Sequence, residues 1–189
     1  MELLKVNIMK IKELDSKKRE QKMNEIIKLM FRVYVATNAG YPKLEWLPKE
    51  VKPKVDEKDS FKKFKFYYEP FLGWRLQQEL DEVYVVEDND RIIGIIGLNY
   101  RVPDKYVPWV PREYLNRHDV GFIELFAVDP SYQGKGIGSL LFDRAISRLK
   151  ELCKKPLLVT FPDLEALKFY KKKGGKVVKQ LDKYVVIQF

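Results

Sequence analysis

Apolar residues recur along this chain with two periods. At helical spacing stand Met23, Ile26, Ile27, Met30, Phe31, Tyr34 and Val35, and later Ile137, Leu140, Leu141, Ala145, Leu149 and Leu152. Residues three and four apart share one helix face, so each set predicts an amphipathic helix. Asp15 or Ser16 caps the first, and Asn38-Ala39-Gly40 with Pro42 behind it stops it. Asp59 or Ser60 caps a further helix bearing Phe61, Phe64 and Tyr68. Pro70 is expected to interrupt that helix, or to start a short piece with Phe71, Trp74, Leu76 and Leu80. A last helix is expected from Asp163, carrying Leu164, Leu167, Phe169 and Tyr170 and ending at Gly174-Gly175.

Between the helices the period shortens. Residues 3–11 alternate loosely and predict a first strand. Residues 82–87 and 91–100 form a hairpin around Asp88-Asn89-Asp90, with Gly94 and Gly97 permitting a close approach or a bulge. Residues 122–128 are a short apolar run apart from Glu124, the pattern of a strand buried on both faces, and Asp129-Pro130-Ser131 ends it. Residues 156–161 make another strand, and 176–181 with 184–189 a closing hairpin around Asp182-Lys183. Two stretches are irregular. The aromatic-rich insert at 41–80 reads mostly as core packing, with some rings available to line a pocket. The connection 101–120, with Pro103, Pro108, Pro111 and one helical turn after Pro111, is either a flap over a site or a packed cover of a sheet edge. The whole predicts an α/β (α+β) fold in a single domain, 1–189: a mixed, mostly antiparallel twisted sheet of about seven strands with helices on both faces.

Composition narrows the class. With 189 residues, 46% hydrophobic and 33% charged, the chain can bury a substantial core. No apolar run approaches a membrane span and no secretory signal is visible, which points to the cytoplasm. The single cysteine, Cys153, excludes an internal disulfide and reads as a packing residue in the last turn of its helix. The lone histidine, His118, has no metal-ligand companions, so no metal site is expected. The net charge of +9 favours polyanionic ligands, but the basic residues are scattered and no nucleic-acid motif accompanies them, so nucleic acid is an unlikely partner.

The candidate chemistry lies where the buried strand runs through Gln133-Gly134-Lys135-Gly136-Ile137-Gly138-Ser139 into a helix. Unpaired N–H groups of a first helical turn and the helix dipole favour an anion, and alternate glycines let a diphosphate approach the backbone. The phosphate-loop pattern of nucleotide hydrolases is absent, and the dinucleotide fingerprint fails because Ser139 stands where its last glycine belongs. The turn, preceded by Val128-Asp129-Pro130, resembles the acyl-CoA-binding motif of the GNAT superfamily of N-acetyltransferases. The order of elements also matches the fold of that family. The resemblance is specific over about residues 82–174.

That resemblance implies acetyl transfer from acetyl-CoA, as cosubstrate, to a primary amine of a small molecule, protein or peptide. The turn residues 133–139 would hold the CoA diphosphate. The backbone of Phe126, Ala127 and Val128 would pair with the pantetheine arm in a gap between strands, with the Phe126 N–H meeting the thioester carbonyl. Glu124 falls where many family members place the carboxylate that deprotonates the amine. A glutamate in an apolar strand is costly unless paired or functional, so an ion pair with a buried Lys or Arg is the competing reading. Asp163, Ala166 and Tyr170 resemble the pattern Asn-x-x-Ala-x-x-φ-Tyr, whose tyrosine can protonate the leaving thiolate. Asp163 replaces an asparagine that contacts pantetheine, and Gly175 replaces a common phenylalanine. The insert and the long connection would shape the acceptor pocket, and the closing hairpin offers an edge for a homodimer. A non-catalytic acyl-CoA-binding or sensor module is the alternative to an enzyme.

Overall fold

The computed structural model describes residues 9–102 and 109–189. Most of the expected first strand, residues 3–8, and Pro103 and Pro108 of the long connection lie outside them. The first described strand is β1 (Ile11–Glu13). Asp15 then caps α1 (Ser16–Gln21), its carboxylate accepting from Lys18 N–H at 2.8 Å. The helix expected to be continuous breaks at Lys22 and resumes as α2 (Met23–Ala36). Asn38 and Ala39 take left-handed φ values of 49° and 63° and turn the chain away.

Helix α3 (Ser60–Trp74) contains Pro70 within its length, which corrects the expected interruption. Proline removes one ladder bond, but the buried row Phe64, Tyr68, Leu72 keeps its face against the sheet. The helix then widens into a π turn, Arg75–Glu79, closed by Leu80 N–H on Arg75 C=O at 2.9 Å. Strands β2 (Glu82–Asp88) and β3 (Arg91–Asn99) form the predicted hairpin. Asn89 and Asp90, at φ 48° and 61°, supply the two left-handed residues that a tight hairpin turn requires. The remaining elements are β4 (Val120–Val128), α4 (Ile137–Glu151), β5 (Lys155–Thr160), α5 (Ala166–Lys172), β6 (Lys176–Gln180) and β7 (Val185–Gln188).

The seven strands make one open sheet in the order β1-β2-β3-β4-β5-β7-β6. Among the described strands only β4 and β5 run parallel, and they pair at Val120–Phe122 against Lys155–Leu157. Beyond Phe122, β4 stays on β3 while β5 follows β7, so the sheet splits between its two central strands. Helices cover both faces, as the sequence predicts. Ile26, Met30, Phe64 and Tyr68 pack on Val83, Ile95 and Leu125, while Leu141, Phe142 and Tyr170 pack on Ile93, Ile96 and Ile123. Helix α4 lies so near β3 that a side chain at Gly94 would put its Cβ 2.8 Å from Leu141 Cδ1 and 2.9 Å from Ile137 Cγ2. The described end of the 101–120 connection is a cover: Trp109, Val110, Tyr114 and Leu115 pack with Val120, Phe122, Leu157 and Val186.

Cys153 is not a packing residue. It is exposed, lies just past α4, and holds φ at 56°. Its N–H donates to Lys150 C=O and that of Lys154 to Leu149 C=O, the bond pair of a helix-ending turn that ordinarily takes glycine at this position.

Candidate active site

Strand β4 carries the site, and a bulge arranges it. Gly97 of β3 faces Glu124 and Ile95 faces Ala127, so Ile96 opposes both Leu125 and Phe126. Leu125 accommodates the extra residue at φ 45°. The Phe126 ring turns to the α4 side, with ring centroids 5.9 Å from Phe142, 5.8 Å from Phe169 and 6.3 Å from Tyr170. Glu124 turns to the α3 side, where it meets Arg75. Asp129 N–H donates to Ile93 C=O at 2.8 Å. Strand alternation then directs the polar groups of Ala127 to β3 and those of Phe126 and Val128 to the open side of the split.

The turn after β4 is built on Asp129. This buried carboxylate accepts from Ser131 N–H at 3.0 Å and Ser131 Oγ at 2.6 Å, and pairs with Arg32 and Arg91, each at 2.6 Å. Burial alone would raise it, but the bonds from Ser131 and Arg91 and the charge of Arg32 hold it below the ordinary aspartate range. Gly134 and Gly136 adopt φ values of 75° and 88°, the left-handed region that glycine enters freely, and Gly136 is the N-cap of α4. The first helical bond runs from Leu140 N–H to Gly136 C=O, leaving the N–H groups of Ile137, Gly138 and Ser139 without helical acceptors. A fifteen-residue helix stands behind them, with its positive dipole end at this point. Gln133 is exposed beside these groups, and the Lys135 ammonium lies 5.3 Å from the Tyr132 ring centroid. Ile137 is buried against the sheet, and a Cβ at Gly138 would only touch Phe126 and Val128, at 3.6 Å each. Every predicted turn residue thus gathers at one helix N-terminus beside the split, an arrangement suited to a diphosphate with a thioester-bearing arm.

On the other side of β4, Glu124 is 9% exposed. It accepts from Arg75 Nη2 at 2.8 Å and from Trp109 Nε1 at 3.1 Å. The same guanidinium grips Glu79, Nε to Oε2 at 2.5 Å and Nη2 to Oε1 at 3.0 Å, and packs 4.9 Å from the Trp109 ring centroid. Two buried carboxylates therefore share one cation. Burial, with Glu79 adding repulsion, pushes the Glu124 carboxyl up to about 8 against the opposing pull of Arg75. The ion pair that competed with a functional reading is present, and its guanidinium is divided between two carboxylates. Arg75 and Glu79 were not foreseen here, whereas Tyr41 and Trp109 fall in the insert and the connection that were expected to shape a pocket. The only trace was an Arg and a Glu four apart at the end of an aromatic helix. Asn99, two residues beyond Gly97 on β3, is also fully buried, and its amide has no hydrogen-bond partner among the described residues.

Tyr170 lies in α5, 5% exposed, among Phe126, Phe142 and Phe189. Burial, then the neighbouring Tyr41 and Glu124, raise its hydroxyl far above the ordinary phenol range. Tyr41 is itself pushed up to about 12, chiefly by burial. Gly175 leaves no room for the side chain expected from the resemblance, since a Cβ would sit 2.6 Å from Phe189 Cε1, and the Phe189 ring occupies that space. Asp163 departs from expectation. The α5 cap position is Glu165, and Asp163 stands outside the helix, exposed, held by Lys43 at 2.9 Å. The Lys43 ammonium also sits 4.0 Å from the Phe161 ring centroid. The local capping rule yields here to a cation from the insert.

A seven-stranded sheet split beside a helix N-terminus, with helices on both faces, places the chain among mixed α/β proteins that bind a ligand at the split edge of a strand. The chain belongs to the acetyltransferase (GNAT) family, which it matches over residues 42–175. A crystal structure of a Pyrococcus horikoshii protein, assigned only provisionally as an acetyltransferase, is 42% identical with a TM-score of 0.75, covering 96% of this chain and 97% of that one. A PaiA N-acetyltransferase from Thermoplasma acidophilum, solved with coenzyme A, shares the fold at 15% identity and a TM-score of 0.61, over 95% of this chain and 97% of its own. An uncharacterized N-acetyltransferase of Methanocaldococcus jannaschii is 25% identical over 118 residues, 58% of this chain and 48% of that protein. The chain spans about half the length of this curated relative. Among the described residues no helix is long and apolar enough to cross a membrane, and no group of side chains is placed to hold a metal.

Proposed function

We propose that this protein transfers the acetyl group of acetyl-CoA to a primary amine by direct attack in a ternary complex. The observation that carries the reading is the position of β4: free amides of α4 beyond one end, Glu124 beside the bulge, and open backbone along the split between them. The amides of residues 136–139 hold the diphosphate, and Phe126 to Val128 hold the arm. Glu124 takes a proton from the acceptor ammonium. The amine lone pair then forms a C–N bond to the thioester carbon, and the Phe126 N–H stabilises the oxyanion, a contribution of roughly 3 kcal/mol to the barrier. Collapse breaks the C–S bond, Tyr170 gives its proton to the departing thiolate, and the surplus proton on the attacking nitrogen leaves through water to restore the phenol, while Glu124 returns its own proton to solvent. Burial keeps the Tyr170 hydroxyl in its protonated form, so a proton is in place when the thiolate departs.

The acceptor is an amine whose reacting end is cationic and carries no acid group next to it. Although the chain is basic as a whole, the groups around Glu124 are two carboxylates on one guanidinium, walled by aromatic rings. Acetyl-CoA turnover over a panel of polyamines, amino acids, amino sugars and peptide N-termini tests the reading. Glu124→Gln should lower kcat/KM by about 10²–10⁴-fold, and Tyr170→Phe should lower kcat, both with CoA affinity retained. CoA binding without turnover of any amine would overturn the enzyme reading in favour of a binding module.

A further inference from the structure

The π turn at the end of α3 places Arg75 and Glu79 in the core together, at 8% and 0% exposure. Taking the Glu124 base as read above, we propose that Glu79 is a positioning residue for that base, acting through Arg75: by holding most of the guanidinium it leaves Glu124 incompletely neutralised and able to accept a proton. The bonds are unequal. Glu79 takes Nε and Nη2 of Arg75 in a fork, whereas Glu124 takes a single bond from Nη2. A forked pair of this kind is the stronger and more rigid arrangement.

The chemistry depends on this division. A buried glutamate with an arginine to itself is held ionised but becomes a weak base, and one with no cation stays protonated at neutral pH. Among the described residues two carboxylates face this one cation, a set whose charges sum to −1, and such a set binds one further proton in the range where an amine must be deprotonated. Among the described residues, the other groups facing Glu124 are neutral near pH 7: Trp109 from the long connection, Tyr41 from the loop after α2, and Tyr170 from α5. Tyr68 of α3 faces Arg75 and Glu79. Glu79 is therefore the negative group that decides how much of Arg75 reaches Glu124. The π turn is what allows this, because its five-residue closure turns both side chains of an i, i+4 pair inward.

The test is the pH profile of kcat/KM for wild type, Glu79→Gln, Glu79→Asp and Glu124→Gln, with one amine from the turnover panel. Wild type should rise along a limb near pH 8. Glu79→Gln should move that limb at least one pH unit to the acid side with a lower plateau, and Glu79→Asp should keep it near the wild-type position. A limb that stays in place in Glu79→Gln, at whatever rate, overturns the proposal and leaves the base reading intact. A limb that survives in Glu124→Gln overturns the base reading itself. Should Glu79→Gln fail to fold, carbon-detected NMR of the wild-type glutamate carboxyls decides the matter. The Glu79 signal should respond across the Glu124 titration, and a Glu79 signal indifferent to it overturns the proposal.

Discussion

Gly136 and Gly138 differ by two positions and should respond to alanine in opposite directions. At Gly136 the chain holds φ at 88°, where an L side chain costs about 1–2 kcal/mol. At Gly138 the added Cβ meets Phe126 and Val128 at 3.6 Å, ordinary contact, inside the first turn of a helix. Alanine is favoured over glycine there by about 0.8–1 kcal/mol. Unfolding entropy near 2.1 cal/mol/K per residue over 189 residues gives about 0.4 kcal/mol per degree. Gly136→Ala should then lower Tm by about 2–5 °C, and Gly138→Ala should raise it by about 2 °C. Binding discriminates further. The strained alanine at 136 relaxes by rotating the peptide that aims the first free amides. A bond to a charged group is worth about 1.5–3 kcal/mol, so losing one weakens CoA by roughly 10–100-fold. Gly138→Ala points its methyl into the sheet and should leave affinity within about twofold. Differential scanning fluorimetry and calorimetric titration with CoA make the two measurements. Wild-type affinity in Gly136→Ala, or a loss confined to Gly138→Ala, would refute this account of the turn.

Two further outcomes follow from the same packing. The Asp129 carboxyl is depressed in the fold, so its contribution is present above the ordinary aspartate value of 3.8 and is lost as pH falls through the lower native value. Asp129→Asn should cost about 1–3 kcal/mol at pH 7, discounted because Arg32 and Arg91 keep some exposure, and should flatten the acid limb of an unfolding curve; an unchanged acid limb would contradict it. Cys153→Gly should raise Tm by about 1–2 °C in the same fluorimetric scan, because the exposed residue at φ 56° gives up its strained Cβ, and a lowered Tm would contradict it.

What could be read from the sequence was what neighbouring residues decide. The strand, turn and helix from Phe122 to Leu149 were legible because an apolar run interrupted only by Glu124, alternating glycines and a helical apolar stripe constrain the chain one after another. The β2–β3 hairpin was legible for the same reason, since Asn89-Asp90 dictates its turn. Longer-range choices were not. Nothing local shows that β7 inserts between β5 and β6, or that Pro70 is carried inside a helix by the buried Phe64–Tyr68–Leu72 row. Asp163 has the local form of a cap, but Lys43, far away in the chain, claims its carboxylate. The environment of Glu124 was hidden most completely. Arg75 and Glu79 look like an exposed pair on a helix, and only the π turn and the split of β4 bring them against a glutamate 49 residues away.

The central claim is that the free amides of α4 hold a diphosphate and direct a thioester down the split beside Glu124. A crystal structure of the protein with acetyl-CoA tests it most directly. The account predicts diphosphate oxygens within hydrogen-bond distance of the N–H groups of residues 136–139 and the thioester oxygen at the Phe126 N–H. A nucleotide bound away from that helix end, or an acyl group outside the gap between β4 and β5, would contradict it.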